Sequence, residues 1–77
     1  MLKFKDRFRN LRDELDLSQT EIGLILNLSQ KTISNYELGN RFPDEDMLNK
    51  IANFFDVSID YLLGRTEIRN IYKIINP

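Results

Sequence analysis

The chain has 77 residues, 42% of them apolar and 30% charged, which suits one small domain with a modest core. It holds neither cysteine nor histidine, so disulfides and thiolate metal sites are excluded and the commonest general base and metal ligand is missing. The formal net charge is −1, whereas nucleic-acid binders are usually basic.

That charge is segregated along the chain. Lys3, Lys5, Arg7, Arg9 and Arg12 face only Asp6 in the first twelve residues. Residues 13–60 are strongly acidic, with Lys31, Arg41 and Lys50 as their only cations, and the last seventeen are mildly basic again. A folded chain could therefore still present one positive face. No stretch reaches the apolar length of a membrane span. The start, Met1-Leu2-Lys3-Phe4-Lys5-Asp6, alternates charge and apolarity and lacks the apolar run of a signal peptide. No cofactor, metal or small-molecule ligand is expected.

Phe4, Phe8, Leu11 and Leu15 recur at helical spacing and predict a first helix over about residues 4–15, ended at Asp16, which tolerates a left-handed conformation. Ser18-Gln19-Thr20-Glu21 is a capping box opening a second helix over about 19–26, with Ile22, Ile25 and Leu26 at helical spacing. Asn27 is a turn residue, and Ser29 caps a third helix that runs to Leu38 and stops at Gly39. A three-residue turn between two short helices forces a steep crossing around a shared core. After the loop Asn40-Arg41-Phe42-Pro43, the acids Asp44, Glu45 and Asp46 complement the dipole at the start of a fourth helix. Leu48, Ile51, Ala52 and Phe55 supply its apolar face. Ser58 caps a short fifth helix, Ile59 to Leu63, stopped at Gly64. The reading is a compact all-α domain over 1–64 with a tail over 65–77, whose Ile68, Ile71, Tyr72 and Ile75 have helical spacing. That tail is read as a dimer contact or as the lead into a further domain.

Placed at about 100° per residue with Ile33 inward, the third helix turns Glu37 and Tyr36 toward the body, about 40° and 60° away. Lys31 and Asn35 point outward at about 160° and 200°, and Ser34 lies to one side near 100°. Gln30 projects from the N-terminal end. Gln30, Lys31, Ser34 and Asn35 thus form a set of donors and acceptors without an acid among them, in a chain otherwise rich in acids. Amides pair with adenine and lysine reaches guanine acceptors, which is the chemistry of base-edge reading in a major groove wide enough for a helix. Gln19, at the start of the second helix, stands where amides and the dipole attract a phosphate.

The run Leu17-Ser18-Gln19-Thr20-Glu21-Ile22-Gly23, followed by Leu28-Ser29-Gln30-Lys31-Thr32-Ile33-Ser34-Asn35-Tyr36-Glu37-Leu38-Gly39, resembles the Cro/repressor-type helix-turn-helix family. Pro43, Leu48, Ile51-Ala52 and Val57 to Gly64 resemble the later helices of that family, so the likeness covers roughly residues 4–64. It implies a five-helix, lambda-repressor-like domain, with the motif over about 19–38 and a reading helix over about 30–38. The implied function is that of a cytoplasmic, nucleoid-associated regulator, not an enzyme, which binds a palindromic DNA operator as a homodimer, most often to repress. By position it implies base reading by Gln30, Lys31 and Asn35, and Ser34 joins them from its place on the same helix. Gln19, Ser18, Ser29, Thr32 and Arg41 would contact phosphate or brace the reading residues, Gln19 beside Gln30. Arg12 and Glu37 match a structural salt bridge, and Gly23 the small residue expected where the helices cross. Asn27 and Asp16 replace glycines usual in the family, and Arg41 alone supplies charge after the motif.

Simpler roles compete with these. Ser18 and Ser29 serve first as caps, and Lys3 to Arg9 as a solvated face. A protein-interaction module, such as an antitoxin or anti-repressor partner, would suit the acidic total and the apolar tail. An acid-rich outward face on the third helix would mark that alternative, and this chain lacks one.

Overall fold

A computed structural model describes residues 2–70. Five helices follow in order: α1 Phe4–Glu14, α2 Gln19–Leu26, α3 Gln30–Leu38, α4 Glu45–Phe55 and α5 Ile59–Leu62, with no strand among the described residues. Four open on a side chain that accepts the amide three residues on. Ser18 takes Glu21 N at 3.0 Å, Ser29 takes Thr32 N at 3.1 Å, Asp44 takes Met47 N at 2.9 Å, and Ser58 takes Tyr61 N at 3.0 Å. At α1 the Asp6 carboxylate instead accepts from the Lys3 amide.

All five helices close in one way. Residues Asp16, Asn27, Gly39, Asp56 and Gly64 adopt positive φ. Each donates its amide to the carbonyl three residues back, while the next residue reaches five back, as Leu28 N does to Gly23 O at 2.7 Å. This double closure satisfies carbonyls that a helix end otherwise leaves without donors. Three of the five turns use Asp or Asn, whose short polar side chains visit the left-handed region more readily than other non-glycine residues. After those three come Leu17, Leu28 and Val57, each packed on the core. The apolar contact that follows the turn thus fixes where the next segment starts.

The core joins Phe4, Phe8 and Leu11 of α1 to Ile22 and Leu26 of α2, Ile33 and Tyr36 of α3, Ile51 and Ala52 of α4, and Leu62 of α5. Phe8 is its centre, meeting Phe4, Tyr36 and Phe55 at centroid distances of 5.6, 5.9 and 6.1 Å, the last two edge to face. Each such side chain contributes about 1.5–3 kcal/mol by leaving water. Burial also pushes the Tyr36 phenol above its ordinary value.

Three expectations change. Leu15 does not extend the apolar stripe: the helix stops at Glu14, and the turn leaves Leu15 52% exposed. Residues 65–70 are not helical and lie against the body instead. There Ser58 N donates to Arg69 O at 2.6 Å, and the Arg69 guanidinium pairs with Glu14. Ile71, Tyr72 and Ile75 of the proposed dimer contact lie outside the described residues. Finally, Arg7 is not on a solvated face. It is 2% exposed, stacks 3.9 Å over the Tyr61 ring, and donates to Glu67 at 3.0 Å and to the Thr66 carbonyl.

The α2–α3 crossing depends on Gly23. A Cβ there would lie 2.7 Å from the Leu28 carbonyl oxygen and 3.6 Å from Ile33 Cγ1. The first is backbone held by the closing turn and has little freedom to retreat. Gly23→Ala should therefore lower stability by about 1–3 kcal/mol despite the better helix propensity of alanine, read as a fall in the urea midpoint. An unchanged midpoint would mean that the crossing is looser than described.

Candidate nucleic-acid interface

Burial around α3 follows the helical arrangement that its sequence dictates. Ile33 and Tyr36 are buried, and the Glu37 side chain is 5% exposed. Gln30 and Lys31 are exposed, and Ser34 and Asn35 are half-buried on the outer side. Lys31 is in no ion pair among the described residues.

A line of hydrogen bonds runs from the start of α3 into the protein. Gln30 Nε2 donates to Gln19 Oε1 at 2.6 Å, and Gln19 Nε2 donates to Glu37 Oε1 at 3.1 Å. Arg12 then holds Glu37 with two parallel bonds, Nε to Oε2 at 2.6 Å and a terminal nitrogen to Oε1 at 2.9 Å. Its remaining nitrogen donates to the Leu17 carbonyl at 2.7 Å. Such a fork-to-carboxylate pairing fixes both planes. The hydrogen bond to Glu37 raises the Arg12 pKa further, and the charges of Glu37 and Asp13 add to it, against the opposing cost of burial. The amide of Gln30 is consequently held by a scaffold drawing on α1, α2 and α3, which limits the rotamer entropy lost when it meets a ligand.

The other residues singled out from the sequence lie around this line. Ser18 and Glu21 cap one another, with Ser18 N donating to Glu21 at 2.9 Å. That bond lowers the Glu21 pKa. Ser29 and Thr32 join hydroxyls at 2.9 Å over the first turn of α3. Arg41 stands apart from the line, exposed beyond the C-terminal end of α3, where its amide bonds Asn35 O at 3.3 Å. Asp44 caps α4, with Glu45 and Asp46 in its first turn. Among the described residues no group of three or more carboxylates converges as a metal site would require.

Two contributors were not legible in the sequence. The Leu17 carbonyl completes the Arg12 environment, but a backbone acceptor leaves no residue signature. Lys50 Nζ donates to Leu26 O at 2.9 Å and so closes the end of α2 from α4. A cation near a helix C-terminus is a recognised signal, but this one comes from a different helix.

The basic start of the chain yields less free charge than its composition implies. Arg7 and Arg12 are committed inside, while Lys3, Lys5 and Arg9 are exposed. Arg65 and Arg69 are paired with Asp60 and Glu14.

Comparison with known proteins locates this geometry. Residues 6–68 match the profile of a family described as a helix-turn-helix domain. The chain is 40% identical over 62 residues to the HTH-type transcriptional regulator ImmR of Bacillus subtilis, covering 80% of this chain and 49% of that protein. It is 33% identical over 64 residues to a cryptic phage CTXphi transcriptional repressor, RstR, of Vibrio cholerae, covering 83% and 57%. The chain thus spans about half the length of these relatives. The crystal structure of the P22 c2 repressor with a synthetic operator superposes with a TM-score of 0.78 at 26% identity, covering 86% of this chain and 100% of that one. A transcriptional regulator from Listeria innocua gives the same TM-score at 31% identity, with 84% and 61% covered.

The Arg12–Glu37 pair generates an asymmetric prediction. Arg12→Ala should cost about 3–5 kcal/mol, because it strands a carboxylate that is nearly enclosed. Glu37→Ala should cost less, since Arg12 keeps the Leu17 carbonyl and has Asp13 at 3.4 Å. Chemical denaturation of the two single variants and the double variant should also give a coupling of about 1–3 kcal/mol. Additive losses would show that the pair does not act as a unit.

Proposed function

The chain belongs to the Cro/repressor-type helix-turn-helix family, and from that premise we propose that it is a transcriptional repressor reading operator DNA with the outer face of α3. The family is one of transcriptional regulators rather than enzymes. The observation carrying the proposal is the braced Gln30 amide, standing with Lys31, Ser34 and Asn35 on an outer face without acids.

In this reading α3 enters the major groove, where Gln30 and Asn35 present paired donors and acceptors to base edges and Lys31 reaches guanine or a phosphate. Gln19, with Ser18, Ser29 and Thr32 near the two helix starts, faces the backbone together with amides that favour an anion. Arg41 adds a phosphate contact past the end of α3. These contacts set register, and the α3 side chains set sequence preference. With few free cations and an acidic remainder, binding is modest in strength, and it weakens with salt in proportion to the few phosphates those cations neutralise. Two copies place their α3 helices in successive major grooves about 34 Å apart, so the operator is a palindrome and the protein a dimer on it. Repression follows from occupying that site. It is also supported by the description of the Vibrio cholerae relative as a repressor and by the P22 protein having been crystallised with an operator.

Selection of bound sequences from a randomised duplex pool, first at low and then at near-physiological salt, tests this directly. The expected product is a two-fold symmetric motif with half-sites one helical turn apart. Placed in a promoter, that motif should reduce reporter output when the chain is co-expressed. Retention without any enriched sequence, or no retention at either salt, would overturn operator reading. A rise in output would overturn repression.

A further inference from the structure

Beyond the end of α3 remote from Gln30, the last residues of that helix and the start of α1 border an open cleft of about 590 Å³. That is within the range of small-ligand sites, roughly 300–1,000 Å³. Phe4, Leu38 and Phe42 give it apolar walls, and Lys3, Lys5 and Arg41 stand among its lining residues. Leu38 and Phe42 are 64% and 57% exposed, so two large apolar side chains meet water at one place.

The charge around the cleft is unusual for this chain. It carries twelve acids, yet no carboxylate lines the cleft. Arg7, Arg12, Arg65 and Arg69 each pair with an acid, while Lys3, Lys5 and Arg41 are in no ion pair among the described residues. The stem of Lys5 is also seated. Its Cδ lies 3.1 Å from where a Cβ on residue 39 would be, so Gly39 both ends α3 at φ 79 and leaves room for the lysine chain. A long side chain laid along a surface in this way keeps its ammonium group in water at the edge.

We infer that this cleft binds a small amphipathic anion, a carboxylate, sulfonate or phosphate carried on a flat apolar body of aromatic size. The body covers Leu38 and Phe42, and the anionic group meets the three unpaired cations. The site shares only Arg41 with the residues assigned to DNA and does not depend on that assignment.

The test uses the 77-residue chain without DNA and two probes of one ring system, anilinonaphthalene sulfonate and its uncharged parent phenylnaphthylamine. Each is titrated while backbone amide resonances are followed. The sulfonate should saturate a single site, with the largest shifts at Leu38, Gly39 and Phe42, and the neutral probe should bind about tenfold more weakly or worse. The double variant Lys5→Gln/Arg41→Gln should raise the sulfonate Kd about tenfold, whereas Arg9→Gln, which removes an exposed charge outside the cleft, should leave it nearly unchanged. Shifts centred on the exposed Leu24 and Ile25 would overturn the site, and that readout needs no variant. Equal affinity for the two probes, or an Arg9→Gln effect as large as that of the double variant, would overturn its preference for an anion.

Discussion

The pairing of Arg12 with Glu37 sets the position of the amide that this chain presents at the start of α3. It joins the last turn of α1 to the last turn of α3, and through the Leu17 carbonyl it fixes the segment leading into α2. An enclosed ion pair is not by itself a strong source of stability, because desolvating two charges offsets much of their attraction. Its value here is geometric. A carboxylate held from two directions by a planar fork has one orientation left, and it offers that orientation to Gln19. Gln19 in turn accepts from Gln30. The position of an exposed amide is thereby determined by a guanidinium on another helix. The steep packing at Gly23 is the second condition, since α2 must lie close enough to α3 for that link to span them.

Electrostatics gives the molecule a division of labour that the net charge conceals. Arginines serve the interior and the segment 65–70: Arg7 under Tyr61, Arg12 at Glu37, Arg69 at Glu14. The hydrogen bond from Arg69 keeps the Glu14 carboxyl below its ordinary range. A guanidinium suits these positions because it stacks on rings and forks onto carboxylates, which an ammonium cannot do. Among the described residues the exposed cations outside ion pairs are largely lysines, Lys3, Lys5, Lys31 and Lys50, joined by Arg9 and Arg41. The free positive charge is therefore small in amount, and placement compensates for quantity.

Helix starts and stops were legible because each has a local chemical cause. The serine caps at Ser18, Ser29 and Ser58, the acids at the start of α4 and the left-handed turns at Asp16, Asn27, Gly39 and Gly64 follow from residue type. The facing of α3 was legible from periodicity, since one buried Ile33 fixes the direction of every other side chain on a rigid helix. What escaped the sequence depended on contacts distant along the chain. Leu15 fits the apolar stripe, but the helix ends before it. Arg7 reads as surface charge until Tyr61, Thr66 and Glu67 are brought over it. Residues 65–70 read as the start of another helix, yet they lie along the body, where Arg69 bonds both Ser58 and Glu14. The cleft beside Gly39 gathers residues from three separate parts of the chain, and no motif marks their meeting.

We propose that the outer face of α3 reads base identity from a braced position. The most direct test is a set of binding isotherms for wild type, Gln30→Ala, Lys31→Ala and Asn35→Ala on the selected duplex and on duplexes with single base changes. Each variant should weaken binding to the selected duplex by about 1–3 kcal/mol. The Gln30 and Asn35 variants should also lose discrimination at one base pair each. Lys31→Ala should flatten the salt dependence by about one charge if that lysine meets a phosphate, and should relax one guanine position if it meets a base. Four indistinguishable isotherms with unchanged base preferences would contradict the proposal.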